Sequence, residues 1–292
     1  MTTVISVPVT TVWKGPDAPR DVDAAIVART PDPVAWNAAL LAAPPSALHG
    51  RAETQALYGE PVRVVSERAG WVELVLPWQP SSADPAGYPG WVPAAHVSDT
   101  DPVDGPLAVV TTPTVTADDR ELSYGTVLPE TERGPAVVRL AGPDGPITAP
   151  TSAVARVPEP TDVRDVEALL TEARQFVGMR YVWGGTSGWG LDCSGFVHLV
   201  HRRAGVTVPR DAYDQIEAAT RLDPTEASTG DLYFFGLTSR GITHVGFATN
   251  PAGAELAMLH APDGDRSQHI EDAPMAPPRR ADLAGAGRFI RH

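Results

Sequence analysis

Most of the 30 prolines in this 292-residue chain lie before residue 163, and they rule out long regular elements there. Proline has no backbone N–H to give to a helix or a ladder, so it stops helices and is confined to strand edges and turns. What remains possible is a set of short strands between turns. Residues 51–98 show this best. Ala56-Leu-Tyr58-Gly-Glu60 leads into Pro61-Val-Arg-Val-Val65, followed by Gly70-Trp-Val-Glu-Leu-Val-Leu76 and Gly90-Trp-Val-Pro93. Residues 102–158 repeat the pattern more weakly, through Leu107-Ala-Val-Val110, Gly125-Thr-Val-Leu128 and Ala136-Val-Val-Arg-Leu140. The expectation is two small β-barrel modules, 47–101 and 102–158. Residues 1–46 hold one strand-like start and a helical piece around Val34–Leu41, and are expected to form a packing arm.

The pattern changes at Pro158-Glu-Pro-Thr161. Beyond it, apolar residues recur at Val163, Val166, Leu169, Leu170, Ala173, Phe176 and Val177, a helical stripe with Asp162 as its N-cap and Gly178 near its end. Cys193 to Gly205 reads as a second helix, with Phe196, Val197, Val200 and Ala204 on one face and the glycine at its C-terminal stop. Asp231–Phe235, Thr243–Ala248 and Leu256–His260 read as strands, while residues 263–287 give no strand assignment. Helices followed by a strand meander make residues 159–292 an α+β domain.

The formal charge of −13 excludes a general affinity for nucleic acid or anionic membrane. No window approaches the roughly 18 apolar residues of a spanning helix, and the first residues show no basic and apolar leader. The chain is expected to be cytoplasmic, or secreted once a signal peptide has been removed. Its single cysteine excludes both an intramolecular disulfide and a cysteine-based zinc cage.

That cysteine raises a chemical question. A thiol attacks as thiolate, and the unpaired N–H groups of a helix's first turn favour the anion. Cys193 follows a glycine-rich approach, Tyr181-Val-Trp-Gly-Gly185, and opens an apolar stripe, so it stands at such a turn. A nucleophile needs a base, and the base an orienting partner. His244 and His260 lie on adjacent strands, and alternation puts His244 on a face with Gly246 and Ala248, opposite Val245 and Phe247. His198 and His201, on the cysteine's own helix, are expected to be partly exposed. His49 and His96 belong to the β modules, and His269 and His292 to loop and tail. Taken alone, a single cysteine is more often a small buried hydrophobe, and a strand histidine a satisfied core residue. No acidic residue stands at ligand spacing beside the two histidines, so neither a metal nor another cofactor is expected.

Six motifs in order now carry a resemblance: Tyr181-x-Trp-Gly-Gly, Asp192-Cys-Ser-Gly195, Pro209-Arg210 with Gln215 behind it, Gly230-Asp-Leu-x-Phe-Phe235, His244-Val-Gly and His260-Ala-Pro. Together, over about residues 160–292, they resemble the NlpC/P60 cysteine peptidases, papain-like α+β domains that cut peptidoglycan peptides with a Cys–His–His triad. The resemblance implies Cys193 as nucleophile, His244 as general base and His260 as its orienter. It implies an oxyanion site at the backbone N–H of Cys193 and the Tyr181 hydroxyl. The front half then resembles the SH3-like modules found ahead of γ-D-glutamyl-L-diamino-acid endopeptidases, which process muropeptides with a free N-terminal L-alanine. In that subgroup the first module supplies groups to the substrate amine, which implies Glu53 and Tyr88 here, with Trp183, Asp192, Ser194 and Asp211 as further substrate contacts. Position 212 is Ala where the subgroup often has serine, removing one contact.

The implied partner is a peptidoglycan-derived peptide, with no nucleic acid and no membrane, and the resemblance favours a recycled fragment over intact wall. Two other functions fit part of the pattern: a non-catalytic module that binds cell-wall peptides, and an amidase or acyltransferase on the same scaffold. The intact Cys193, His244 and His260 argue against the first, and product analysis on a γ-D-Glu–diamino-acid peptide separates the second.

Overall fold

The structure is a computed structural model, and it describes residues 1–44, 46–158, 165–236, 241–262 and 268–290. The chain divides into two compact units, Met1–Val157 with Trp183–Gly190, and Pro158–Val182 with Leu191–His292.

The first unit contains two five-stranded antiparallel sheets. In the first, Ala52–Leu57, Val9–Trp13, Tyr88–Pro93, Trp71–Leu76 and Arg63–Arg68 lie side by side. The second runs in the order Gly145–Pro150, Val137–Gly142, Val127–Arg133, Leu107–Val110 and Val154–Arg156. Among the described residues neither sheet closes into the expected barrel. Arg63–Arg68 is exposed along its whole length, as an open edge is and a closing seam is not. Residues 1–46 also differ from a packing arm. Val9–Trp13 is entirely buried and sits inside the first sheet, and Thr2–Ile5 pairs with Val97–Thr100. Ile5, Val7 and Val12 join Leu74, Leu76 and Val92 in the core. Its ladder partners, Ala52–Leu57 and Tyr88–Pro93, lie far along the chain, so local spacing does not show them.

The expected helical piece forms as Pro33–Leu40, started by proline and by the Asp32 carboxylate, which accepts from Ala35 N. Its Trp36 donates its indole N–H to the fully buried Asp23 at 3.0 Å, and Arg51 closes an ion pair on the same carboxylate at 2.6 Å. The stretch Trp183–Gly190 is fixed within this unit. Thr186 N donates to Gln55 Oε1 at 3.0 Å and Gly188 N to Ser123 Oγ at 2.8 Å. Any side chain at Gly188 would collide with the Pro113 carbonyl, so glycine is required by close approach.

The second unit is built on a six-stranded antiparallel sheet in the order Thr220–Leu222, Leu283–Arg288, Leu232–Phe235, His244–Ala248, Ala257–His260, Glu271–Pro274. Two of these strands and the helix Pro277–Ala281 fall in the stretch that sequence left unassigned. The first helix of the unit runs Val166–Ala173 and is capped by Asp165, whose carboxylate accepts from Ala168 N at 2.8 Å. The expected cap, Asp162, and Val163 lie outside the described residues. Helix Cys193–Arg203 packs on strand His244–Ala248, with the Phe196 and Phe247 rings edge to face at 5.7 Å. Gly205 beyond it has φ +72°, a left-handed stop.

His198 and His201 are not partly exposed, as expected, but buried to 1%. Helix residues 193–201 are covered all round, so the polar face implied by the spacing has no solvent to meet. His198 Nδ1–H donates to the Val208 carbonyl at 2.7 Å, and His201 Nδ1–H to that of Val197 at 2.8 Å. Burial, with Arg202 beside it, holds His198 well below the usual imidazole range, and burial pushes His201 down to about 4. In the first unit burial also lowers His96.

Two outcomes are expected. Asp23→Ala strands the Arg51 guanidinium in the core and costs about 3–5 kcal/mol in denaturant unfolding, whereas an effect near zero would mean the pair is not holding the helical segment. Because these histidines are neutral when folded and take protons near pH 6.5 when unfolded, acid favours the unfolded chain. Stability is therefore highest at and above neutral pH and falls between about pH 6.5 and 4, by up to about 1.4 kcal/mol per pH unit for each such histidine. An unfolding midpoint that is unchanged from pH 7.5 to 5 would contradict their burial as neutral groups.

Candidate active site

The start of the cysteine helix is fixed by charge. Asp192 adopts an extended N-cap conformation, and its Oδ1 accepts from Gly195 N at 2.7 Å. Arg210, 1% exposed, grips the same carboxylate with both ends of its guanidinium at 3.1 and 2.7 Å, and donates to Ser194 Oγ at 2.9 Å. Gln215 Nε2 adds bonds to the carbonyls of Ser194 and Pro209 at 3.0 and 2.9 Å. Cys193 is thus the first helical residue of a rigidly held turn, and it is buried to 8% exposure. Among the described residues there is no other cysteine with which it could pair.

The strands supply the histidines. His244 opens its strand, and His260 ends the neighbouring one. The expected alternation holds, since Phe247 packs on the cysteine helix while Ala248 and Met258 join the cluster on the other face. His244 Nε2 and His260 Nδ1 are 2.9 Å apart, with the rings nearly perpendicular at 82°. Gly246 makes room for this, because a Cβ there would come within 2.7 Å of His260 Cβ.

Glu271 lies directly across the ladder from His260, its carboxylate 3.3 Å from Nε2. A carboxylate there favours a proton on His260 Nε2 and leaves Nδ1 to accept from His244 Nε2–H. His244 Nδ1 is then a bare lone pair. That atom is buried, and among the described residues it has no hydrogen-bond partner. An orphaned buried nitrogen is rare and costly unless it has chemical work.

Burial holds His244 well below the usual imidazole range, with His260 and the Arg279 guanidinium adding to the effect. Burial, followed by Arg279, pushes His260 down to about 3. Both rings are therefore neutral at rest, as a base that accepts a proton must be.

The remaining sequence-derived residues fall into three groups. Tyr181 forms a parallel bridge with Leu191, two residues from the cysteine. Asp192 and Ser194 are bound to Arg210, and Asp211 accepts from the Tyr213 hydroxyl at 2.7 Å. Glu53, Tyr88 and Trp183 belong to the first unit. There Glu53 sits on strand Ala52–Leu57, Tyr88 is 7% exposed within the first core, and the Trp183 indole N–H donates to the Ala52 carbonyl at 3.1 Å. Sequence reasoning missed Glu271 and Arg279, both in the unassigned stretch, and gave Arg210 no role. Among the described residues no cluster of His, Cys, Asp and Glu is arranged to hold a metal ion.

Comparison with known proteins bears on the chemistry. A profile of the NlpC/P60 family matches residues 178–276. The chain is 31% identical to a γ-D-glutamyl-L-lysine dipeptidyl-peptidase of Bacillus subtilis, over 92% of this chain and 93% of the relative. It is 29% identical to the protein of that name from Bacillus cereus, over 98% of this chain and 90% of that one. A crystal structure of an NlpC/P60 family protein from Bacillus cereus superposes along 100% of both chains with a TM-score of 0.90 at 28% identity. At 31% identity along nearly the full length of both proteins the similarity extends well beyond a shared fold, and this chain belongs to the NlpC/P60 family and is a cysteine peptidase.

Proposed function

We propose that the protein cleaves the amide between the γ-carboxyl of D-glutamate and a diamino acid in peptidoglycan-derived peptides that begin with a free L-alanine. The observation that carries the chemistry is the buried His244–His260 pair, whose open Nδ1 belongs to the strand packed against the helix that Cys193 begins. The substrate is supported by the two Bacillus relatives, which are named γ-D-glutamyl-L-lysine dipeptidyl-peptidases. An enzyme that releases a dipeptide acts two residues from a free amine, which suits a fragment better than intact wall. The two β sheets of the first unit are read, in the same proposal, as open SH3-like modules.

In the proposed reaction His244 Nδ1 takes the Cys193 proton, and the sulfur forms a bond to the scissile carbonyl carbon. The oxyanion is held by the Cys193 backbone N–H and the Tyr181 hydroxyl. Collapse breaks the C–N bond as His244 returns the proton to the leaving amine. Water then hydrolyses the thioester with His244 again as base. Glu271 and His260 keep the lone pair of His244 directed to Nδ1 throughout. Glu53 and Tyr88 are assigned to the substrate amine by the resemblance, and Trp183, Asp192, Ser194 and Asp211 to the rest of the acyl part.

Incubation with L-Ala-γ-D-Glu-L-Lys is expected to release L-Ala-D-Glu and lysine. Cys193→Ala should fold normally and lower the rate by at least about a thousandfold. Acetylating the alanine amine should slow the wild type by about a hundredfold or more, since it leaves a substrate-binding carboxylate unpaired. Turnover retained by Cys193→Ala would refute the mechanism, and equal cleavage of both peptides would remove the amine requirement.

A further inference from the structure

Arg279 is a cation with no assigned work. It sits on the short helix Pro277–Ala281, between the strand paired with that of His260 and the strand paired with Leu232–Phe235. Its guanidinium lies 5.3 Å over the ring of Phe235. Phe235 is the ladder partner of His244, and the two rings are 5.6 Å apart. The charge therefore bears on both active-site imidazoles. Among the described residues no carboxylate is paired with it. Neighbouring acids are committed elsewhere: Glu255 pairs with Arg280 at 3.8 Å, and Glu271 lies against His260.

An unneutralised cation beside a general base works against catalysis, because the base must itself become positive when it takes the thiol proton. Substrate can remove that conflict by bringing a negative charge. The side from which it arrives is set by the reaction. His244 returns its proton to the leaving nitrogen, so groups beside His244 face the leaving part of the substrate. In a γ-D-Glu–diamino-acid peptide, the leaving nitrogen is one carbon removed from the α-carboxylate of the diamino acid. The D-glutamate α-carboxylate is three carbons from the scissile carbonyl, on the acyl side.

We propose that Arg279 binds the α-carboxylate of the departing diamino acid, and that the enzyme therefore prefers peptides in which that residue is the C-terminal one. This rests on the peptidase reading above. It makes the protein selective at both ends of a short fragment, with the leaving-group end recognised by a guanidinium-carboxylate pair. Peptides extended beyond the diamino acid lack the charge and are poorer substrates, so an enzyme that trims such extensions must act first.

The test compares kcat/KM for L-Ala-γ-D-Glu-L-Lys with that for its C-terminal amide, in the full-length wild type, Arg279→Gln and Arg279→Lys. The wild type is expected to favour the acid by about ten- to a hundredfold, the range of a charge-assisted hydrogen bond. In Arg279→Gln the acid-to-amide ratio should fall to about one, and Arg279→Lys should restore part of it. A purely structural role would lower both rates and preserve the ratio, overturning the proposal. Equal cleavage of acid and amide by the wild type would overturn it while leaving the peptidase reading intact. Failure of the wild type to cut either peptide would bring down both.

Discussion

The buried ion pair of Arg210 and Asp192 holds the catalytic unit's central helix in place. A guanidinium at 1% exposure is tolerable only if its charge and donors are met, and Asp192 meets them with both oxygens at 3.1 and 2.7 Å. The same carboxylate caps the helix at Gly195, so one residue fixes the chain direction immediately before and after Cys193. Ser194 is drawn into the arrangement from the other side. In the proposed reaction a nucleophile so held loses little freedom on attack, which is where much of an enzyme's advantage over a free thiol arises. It also follows that the charge of Asp192 is matched inside the protein before any substrate arrives.

The proposed base, His244, is kept neutral by burial. The His244–His260 pair is close enough to share a proton, but neither ring is protonated at rest, since the interior and Arg279 both disfavour it. Glu271 gives the pair a direction, and Gly246 gives it space. The arrangement needs an incoming negative charge or a thiolate before an imidazolium becomes favourable.

Much of this was legible before any coordinates. Leu232–Phe235, His244–Ala248 and Ala257–His260 are compact apolar runs bounded by turn residues, and such runs fold as buried strands. The apolar stripe after the glycine-rich approach announced the helix that Cys193 opens, while its cap, Asp192, emerged only from the fold. What sequence hid was long-range pairing and coverage. Val9–Trp13 reads as one isolated strand because its neighbours, Ala52–Leu57 and Tyr88–Pro93, are remote in the chain. His198 and His201 look like a solvated face because nothing local shows that the far side of the helix is covered. Glu271 and Arg279 sit in a stretch without alternation, so only the ladder and the ring beneath them reveal their place. Trp183–Gly190 adjoins the cysteine in sequence yet is bound into the first unit.

The central claim is that the histidine pair activates Cys193, and because the chain has one cysteine, the thiol can be observed alone. The most direct measurement is the rate of its alkylation by iodoacetamide at pH 6, followed as a mass increase of the intact protein, in the wild type and in His244→Ala. The account predicts at least about tenfold faster alkylation in the wild type, since without its base an ordinary thiol stays protonated at that pH. Equal rates in the two proteins would contradict it and leave Cys193 an ordinary thiol beside an unrelated pair of histidines.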